Sequence, residues 1–288
     1  MKSKSKIFIS LLLSLFLISC SNIEDSVNKK PNFLIILVDD LGYMDLGCMG
    51  SDYYETPNID KLAQEGILFT QGYSASRVCS PSRASLMTGK FVTSHGITDY
   101  IGATSGKDWF TRGKKWGRHT KLLNAEYKHE LDAKHITIAE LLNASGYKNF
   151  YAGKWHLGGE GSYPQDHGFE INQGGFEAGS PRGGFFSPFK NPKLEDKEDG
   201  ENLTMRLADE TVKFIKANQD TNFFAMLAFY AVHSPIQTTK EKWKKYRDKT
   251  DEQGISEESF GMERRFPIRI KQDNPVYGGL VESVDDAV

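Results

Sequence analysis

Four short stretches of this 288-residue chain gather the residue types that do chemistry on anions. Cys79-Ser80-Pro81-Ser82-Arg83 offers a thiol and a nearby guanidinium whose planar fork can grip several oxygens. Asp39-Asp40 sets two carboxylates directly after an apolar run, and such hard oxygen donors suit Ca²⁺ or Mg²⁺. Lys154 and His156 stand two apart, so on an extended segment both point the same way and reach one anion. His233 follows a further apolar run, in His233-Ser234-Pro235. Each group has a plainer reading. The aspartates also suit a strand-end turn, Cys79 a small buried thiol, and the lysine and histidines ordinary solvated or satisfied side chains.

The elements that must position these residues read as α/β. Asn32 to Val38 is a continuous apolar run, as a strand covered on both faces requires. Asp39-Asp40 then falls at its carboxyl end, where open α/β sheets place ligands. Tyr147 to Ala152 and Phe223 to Ala231 read as two more buried strands, and Ile67 to Thr70 as a short one. Helices are expected over Thr56–Gly66, Ser82–Thr88, Ile136–Ala144, Asn202–Ala217, Lys240–Lys249 and from Pro275 onward. A helix starting near Ser82 would aim free backbone N–H groups at an anion. Ser94–Lys134, Gly159–Glu198 and Asp251–Asp273 read as loop or irregular segments. The aromatic, glycine-rich runs Asp108–Trp116 and Gly174–Phe189 are expected to shape a cleft.

The motifs together resemble the type I sulfatases, the formylglycine-dependent and arylsulfatase-like family, over Lys30 to Val288. Pro31 to Asp40 is similar to that family's opening strand with its first two metal carboxylates. Thr56 to Ala63 is similar to the helix that follows, and Gly153-Lys154-Trp155-His156-Leu157-Gly158 to the lysine–histidine motif. The resemblance implies an alkaline-phosphatase-like mixed sheet flanked by helices. It implies that Cys79 becomes a formylglycine aldehyde whose hydrate attacks the sulfur of a sulfate ester, with Arg83 holding the hydrate. Lys154 would bind sulfate, His156 would take a proton from the hydrate, and His233 would meet the leaving oxygen or the sulfate. Asp39, Asp40 and the modified Cys79 would hold a divalent metal, Ca²⁺ with Mg²⁺ as the alternative. A phosphatase or phosphodiesterase on the same fold shares the carboxylates but not the Cys79–Arg83 context.

The same resemblance implies a second pair of metal ligands, a later lysine and a small subdomain beyond Val288. The stretch 31–288 therefore reads as an incomplete catalytic domain, and a non-catalytic remnant is a competing reading. On that basis Leu280, Val281 and Val284 are expected to lack packing partners, and Asp39 and Asp40 to repel each other unrelieved. Asp285-Asp286 and Asp273-Asn274 are not expected to stand in as ligands.

The remaining features concern destination. Lys2, Lys4 and Lys6 precede 13 mostly apolar residues, Ile7 to Ser19. A membrane span needs about 20, so the run fits the core of an export signal. Leu17-Ile18-Ser19-Cys20 resembles a bacterial lipobox, which implies residues 1–19 as a signal, a lipidated Cys20 and a tether over 20–30. An ordinary signal peptide is the alternative. The expected partners are thus a sulfated glycan or other sulfate ester, a formylglycine-generating enzyme and the lipoprotein machinery. The setting is a periplasmic or cell-surface lipoprotein. Net charge is −2, with 36 basic and 38 acidic residues, which lacks the basic excess of a nucleic-acid surface. Of the three cysteines, Cys48 and Cys79 are expected to remain unpaired thiols, Cys48 a buried one.

Overall fold

The computed structural model describes residues 30–106, 124–254 and 259–288. The proposed signal, lipobox and nearly all of the tether lie outside these residues, as does the Asp108–Trp116 run. Among the described residues no helix is long and apolar enough to cross a membrane.

Four strands form the central sheet: β1 (Phe33–Leu37), β2 (Lys148–Gly153), β3 (Ile171–Gln173) and β4 (Phe223–Ala228). Their order is β1-β4-β2-β3 and every pairing is parallel. The antiparallel pairing belongs to a separate exposed hairpin, β5 (Phe260–Glu263) with β6 (Phe266–Arg269). Among the described residues seven α-helices accompany the strands: α1 (Pro57–Glu65), α2 (Cys79–Thr88), α3 (Val92–His95), α4 (Ile138–Ala144), α5 (Leu203–Ala217), α6 (Lys240–Glu252) and α7 (Pro275–Ala287).

The alternation of β4 explains the layering. Phe223, Ala225 and Leu227 enter one core with Leu207 and Phe214 of α5, Tyr246 of α6, and Leu280, Val281 and Val284 of α7. Phe224, Met226 and Ala228 enter the other with Ala84 and Met87 of α2, Ala139 of α4, Trp155 and Phe169. A strand buried on both faces has no polar side to show, which is why it reads as an unbroken apolar run. Local signals set the helix ends. Thr137 and Glu140 form a capping box on α4, while Asn202 and Asn274 cap α5 and α7 through their side-chain oxygens.

Several expectations need correction. Ile67–Thr70 is not a strand; Ile67 and Phe69 are exposed, and no described strand pairs with them. The segment Gly159–Glu198 is not all loop, since it carries β3, and Asp251–Asp273 carries the hairpin. The strand expected to reach Ala231 ends at Ala228, and β1, expected to be covered on both faces, is an edge strand of the described sheet whose Phe33 and Leu34 are exposed. Cys48 is half-buried rather than buried. Leu280, Val281 and Val284 are at most 1% exposed, so α7 already has its packing partners in α5 and α6. Asp285 is also buried and accepts the N–H groups of Asn58 at 3.2 Å and Ile59 at 2.8 Å, capping the start of α1.

Candidate active site

Sheet register brings the separate motifs to one edge. Leu37, Ala228 and Gly153 lie side by side at the ends of β1, β4 and β2. Whatever follows each strand therefore emerges together: Asp39-Asp40, the segment leading to His233, and Lys154 to His156. Two hydrogen bonds lock the first two segments, Asp39 N–H to Ala231 O at 3.0 Å and Val232 N–H to Asp39 O at 2.8 Å.

Helix α2 arrives from the other side, and it begins at Cys79 rather than near Ser82. Pro81 sits within its first turn, where the missing N–H has no helical partner to lose. Val78 is the extended cap residue, so Cys79 stands at the positive end of the helix. Its thiol is unpaired, as is that of Cys48. Arg83, one turn along, is buried. It donates from Nη2 to Asp39 Oδ1 at 3.0 Å and from Nη1 to the Lys154 carbonyl at 2.5 Å. Lys154 Nζ donates to the other Asp39 oxygen. The carboxylate is held between two cations, so the expected unrelieved repulsion at Asp39 is not what the fold builds.

These charges set the local protonation states. Burial pushes the Asp39 carboxyl up, but Arg83 and Lys154 outweigh it and hold the group below the usual carboxylate range. Burial and the neighbouring Arg83 push the Lys154 ammonium down, against the pull of Asp39. With Asp39 ionised and both cations charged, the trio carries one net positive charge and favours an anion beside it.

His156 does not share a strand with Lys154, because β2 ends at Gly153. The backbone turns instead, with φ +102 at Gly153 and +55 at His156. The imidazole Nε2–H donates to Ile101 O at 3.0 Å. A carbonyl only accepts, so Nδ1 carries the lone pair, and that atom is buried without a partner. Burial, then Lys154, pushes this imidazole down to about 4, leaving it neutral near pH 7. Gly179 lies over the ring: a Cβ there would fall 2.4 Å from His156 Cε1. Neither Gly179 nor the Ile101 carbonyl was foreseen in the sequence, because both come from loops with no local motif.

Asp39, Asp40 and His233 bring one ligand atom each within 4.8 Å of one another. The His233 Nδ1–H donates to Ser234 O at 2.6 Å, so Nε2, the acceptor nitrogen of that tautomer, faces the Asp40 carboxylate 3.7 Å away. Two acceptors facing each other beside a second carboxylate fit a divalent cation. Cys79 is not within this cluster; it lines the same cavity of about 670 Å³ as Asp39, Asp40 and Arg83. The other described histidines serve elsewhere. His95 bonds Ser85 at 3.0 Å, His135 bonds Lys90 at 2.9 Å, His167 bonds Ser162 at 2.9 Å, and His129 packs at a tilt against Tyr127. Asp273 pairs with Arg269.

This parallel sheet, with cations, carboxylates and a cysteine gathered at its carboxyl edge, defines an α/β protein with a polar crevice where such sheets place their ligands. The Sulfatase family model matches residues 31–288, and the chain belongs to that family. It is 32% identical over 237 residues to N-acetylgalactosamine-6-sulfatase of Rattus norvegicus, covering 74% of this chain and 41% of that protein. Among solved structures, Ps i-CgsB is similar with a TM-score of 0.65 at 26% identity, over 90% of this chain and 53% of the other. The structure of BT4656 with its substrate D-glucosamine-2-N,6-O-disulfate is similar in fold, with a TM-score of 0.58 at 20% identity, over 90% of this chain and 52% of that one. The chain thus spans about two fifths of the first curated relative's length and about half that of the solved structures.

Proposed function

We propose that the site hydrolyses sulfate esters of carbohydrates, with Cys79 converted to formylglycine as the nucleophile precursor. The observation that carries this reading is the placement of Cys79 at the first residue of α2, in one cavity with Asp39 and Arg83. A sulfated carbohydrate is favoured by the names of two similar proteins, the N-acetylgalactosamine-6-sulfatase and the BT4656 complex.

Each residue has a physical role on this reading. Arg83 and Lys154 neutralise the ester's negative charge, which otherwise repels an incoming nucleophile. The first turn of α2 adds N–H dipoles on the same side. His156 receives a proton at its bare Nδ1, which a neutral imidazole can do near pH 7. Asp39, Asp40 and His233 would hold the metal, Ca²⁺ with Mg²⁺ as the alternative. When bound, the metal would polarise a sulfate oxygen, and the formylglycine hydrate would supply the attacking oxygen. Outside the described residues, the reading includes signal cleavage before Cys20, its lipidation, and export to a bacterial membrane surface.

The test is to produce the full chain with a formylglycine-generating enzyme and measure two quantities. Mass spectrometry of the Cys79 peptide should show the aldehyde form, and sulfate release should be lost in Cys79→Ala. A Cys79 that stays a thiol beside that enzyme, with no release above the Cys79→Ala chain, would sink the proposal. Release of phosphate but not sulfate would favour the phosphatase alternative. Acyl mass on Cys20 in the mature N-terminal peptide tests the anchor.

A further inference from the structure

The cavity that holds Cys79 also displays a cation that the chemistry above does not use. Three basic side chains line it: Arg77, Arg83 and Lys90. Arg83 is committed to Asp39 and to the Lys154 carbonyl. Lys90 donates to His135 Nδ1 at 2.9 Å. Arg77 is exposed and, among the described residues, has neither a hydrogen-bond nor an ion-pair partner. It lies two residues before Cys79, across the extended Val78 (φ −128, ψ 158), so its backbone is held by the start of α2. Two residues of extended chain span at most about 7 Å. That is the scale separating neighbouring substituents on one sugar, or on two linked sugars.

Two aromatic rings frame the same cavity. Tyr73 is 85% exposed and Phe91 is 83% exposed. Large rings left in water at a cavity mouth mark a binding surface, and they suit the C–H faces of a sugar. The volume, about 670 Å³, lies in the range of pockets that enclose a ligand larger than one sulfate group.

We propose that Arg77 selects substrates bearing a second anionic group, a sulfate or a carboxylate, beside the sulfate that is cut. The inference rests on the sulfate-ester reading and deepens it. The guanidinium fork pairs with either oxyanion through two parallel N–H bonds, which a neutral sugar hydroxyl cannot reproduce. Arg77 is a specificity group and takes no part in breaking the ester bond.

The experiment is a calorimetric titration of the full chain with three probes: a monosulfated hexosamine, the same sugar with a second sulfate, and the monosulfated sugar linked to a uronic acid. The wild-type chain should bind at least one doubly anionic probe about tenfold more tightly than the singly charged one, the fold-change expected of one extra charge-assisted contact. Arg77→Ala should collapse that ratio to near one, and Arg77→Lys should keep part of it. Lys244→Ala, an exposed change on α6, should leave the ratio as it is. A preference for the disulfated probe identifies sulfate as the second group, and a preference for the uronate identifies carboxylate. Equal weakening of all three probes by Arg77→Ala would overturn the inference. So would a wild-type chain that binds all three alike, which leaves the sulfate-ester reading standing. Binding of none of them would remove both.

Discussion

Arg83 and Asp39 form an ion pair at 3.0 Å in which the side chains are only 3% and 7% exposed. The pair ties α2 to the end of β1, and the second Arg83 nitrogen ties both to the end of β2 through the Lys154 carbonyl. One guanidinium thus staples three segments at the point where the proposed nucleophile sits.

Removing a partner from this trio should cost stability. Breaking a buried ion pair on one side leaves an uncompensated charge, at about 3–5 kcal/mol. Asp39→Asn should be worse than Lys154→Met, since it leaves Arg83 and Lys154 facing each other without their shared counter-charge. Urea unfolding of Arg83→Met, Asp39→Asn and Lys154→Met checks the order. Equal midpoints for the three variants and the wild type would show the trio to be energetically neutral.

Gly179 should matter through His156. A side chain at 179 collides with the ring at 2.4 Å, so Gly179→Val must displace it and weaken the Nε2–H bond to Ile101 O. Misplacing a proton acceptor by about 1 Å can cost about 100-fold in rate. The discriminating readout is the His156 titration followed by NMR, which should move up from about 4 as the ring loses its burial. A variant that loses rate with that titration unmoved would point to a general folding defect instead.

Metal affinity should follow the three-residue cluster. Calorimetric titration of Ca²⁺ into the full chain should give one site, weakened at least about tenfold by Asp40→Asn or His233→Ala. Asparagine is the suitable replacement because Asp40 has φ +62, a conformation that Asn tolerates and β-branched residues do not. Asp248→Asn on the surface of α6 serves as the control. Equal affinity in all of these variants would remove Asp40 and His233 from the site.

Acid should destabilise the fold in a defined window. The His156 imidazole falls from its ordinary value near 6.5 in the unfolded chain to about 4 when folded. The unfolded chain therefore binds more protons between these values, and the stability present above about pH 6.5 is lost as pH falls toward 4. The loss approaches about 3 kcal/mol, with no further loss from this group at lower pH. His167 and His95, which burial also pushes down, act in the same direction. Asp39 takes over below the ordinary carboxylate range, since its folded value is depressed. Urea midpoints at pH 7, 5.5 and 4 should fall together, and His156→Gln should flatten the slope. An unchanged slope in that variant would refute the assignment.

Residue order determined much of this by itself. The apolar runs before Asp39, Lys154 and His233 each announced a strand, and the last two are buried, whereas β1 is an edge strand of the described sheet with Phe33 and Leu34 exposed. Chemistry at the strand ends followed, since polar residues must appear where burial stops. Only the tertiary structure decided which groups meet. Register aligned Leu37, Ala228 and Gly153 and so brought Asp39 to Lys154 across 115 positions of chain. The start of α2 moved from Ser82 to Cys79 because a proline in the first turn gives up no helical hydrogen bond. The partner of His156 is a loop carbonyl and its lid is a glycine, and neither carries a side chain that sequence pattern could reveal. Packing likewise settled α7, whose apolar side is filled by α5 and α6 rather than waiting for a further strand. Pattern reports how much of a residue is buried, but which neighbour buries it depends on how the whole chain closes on itself.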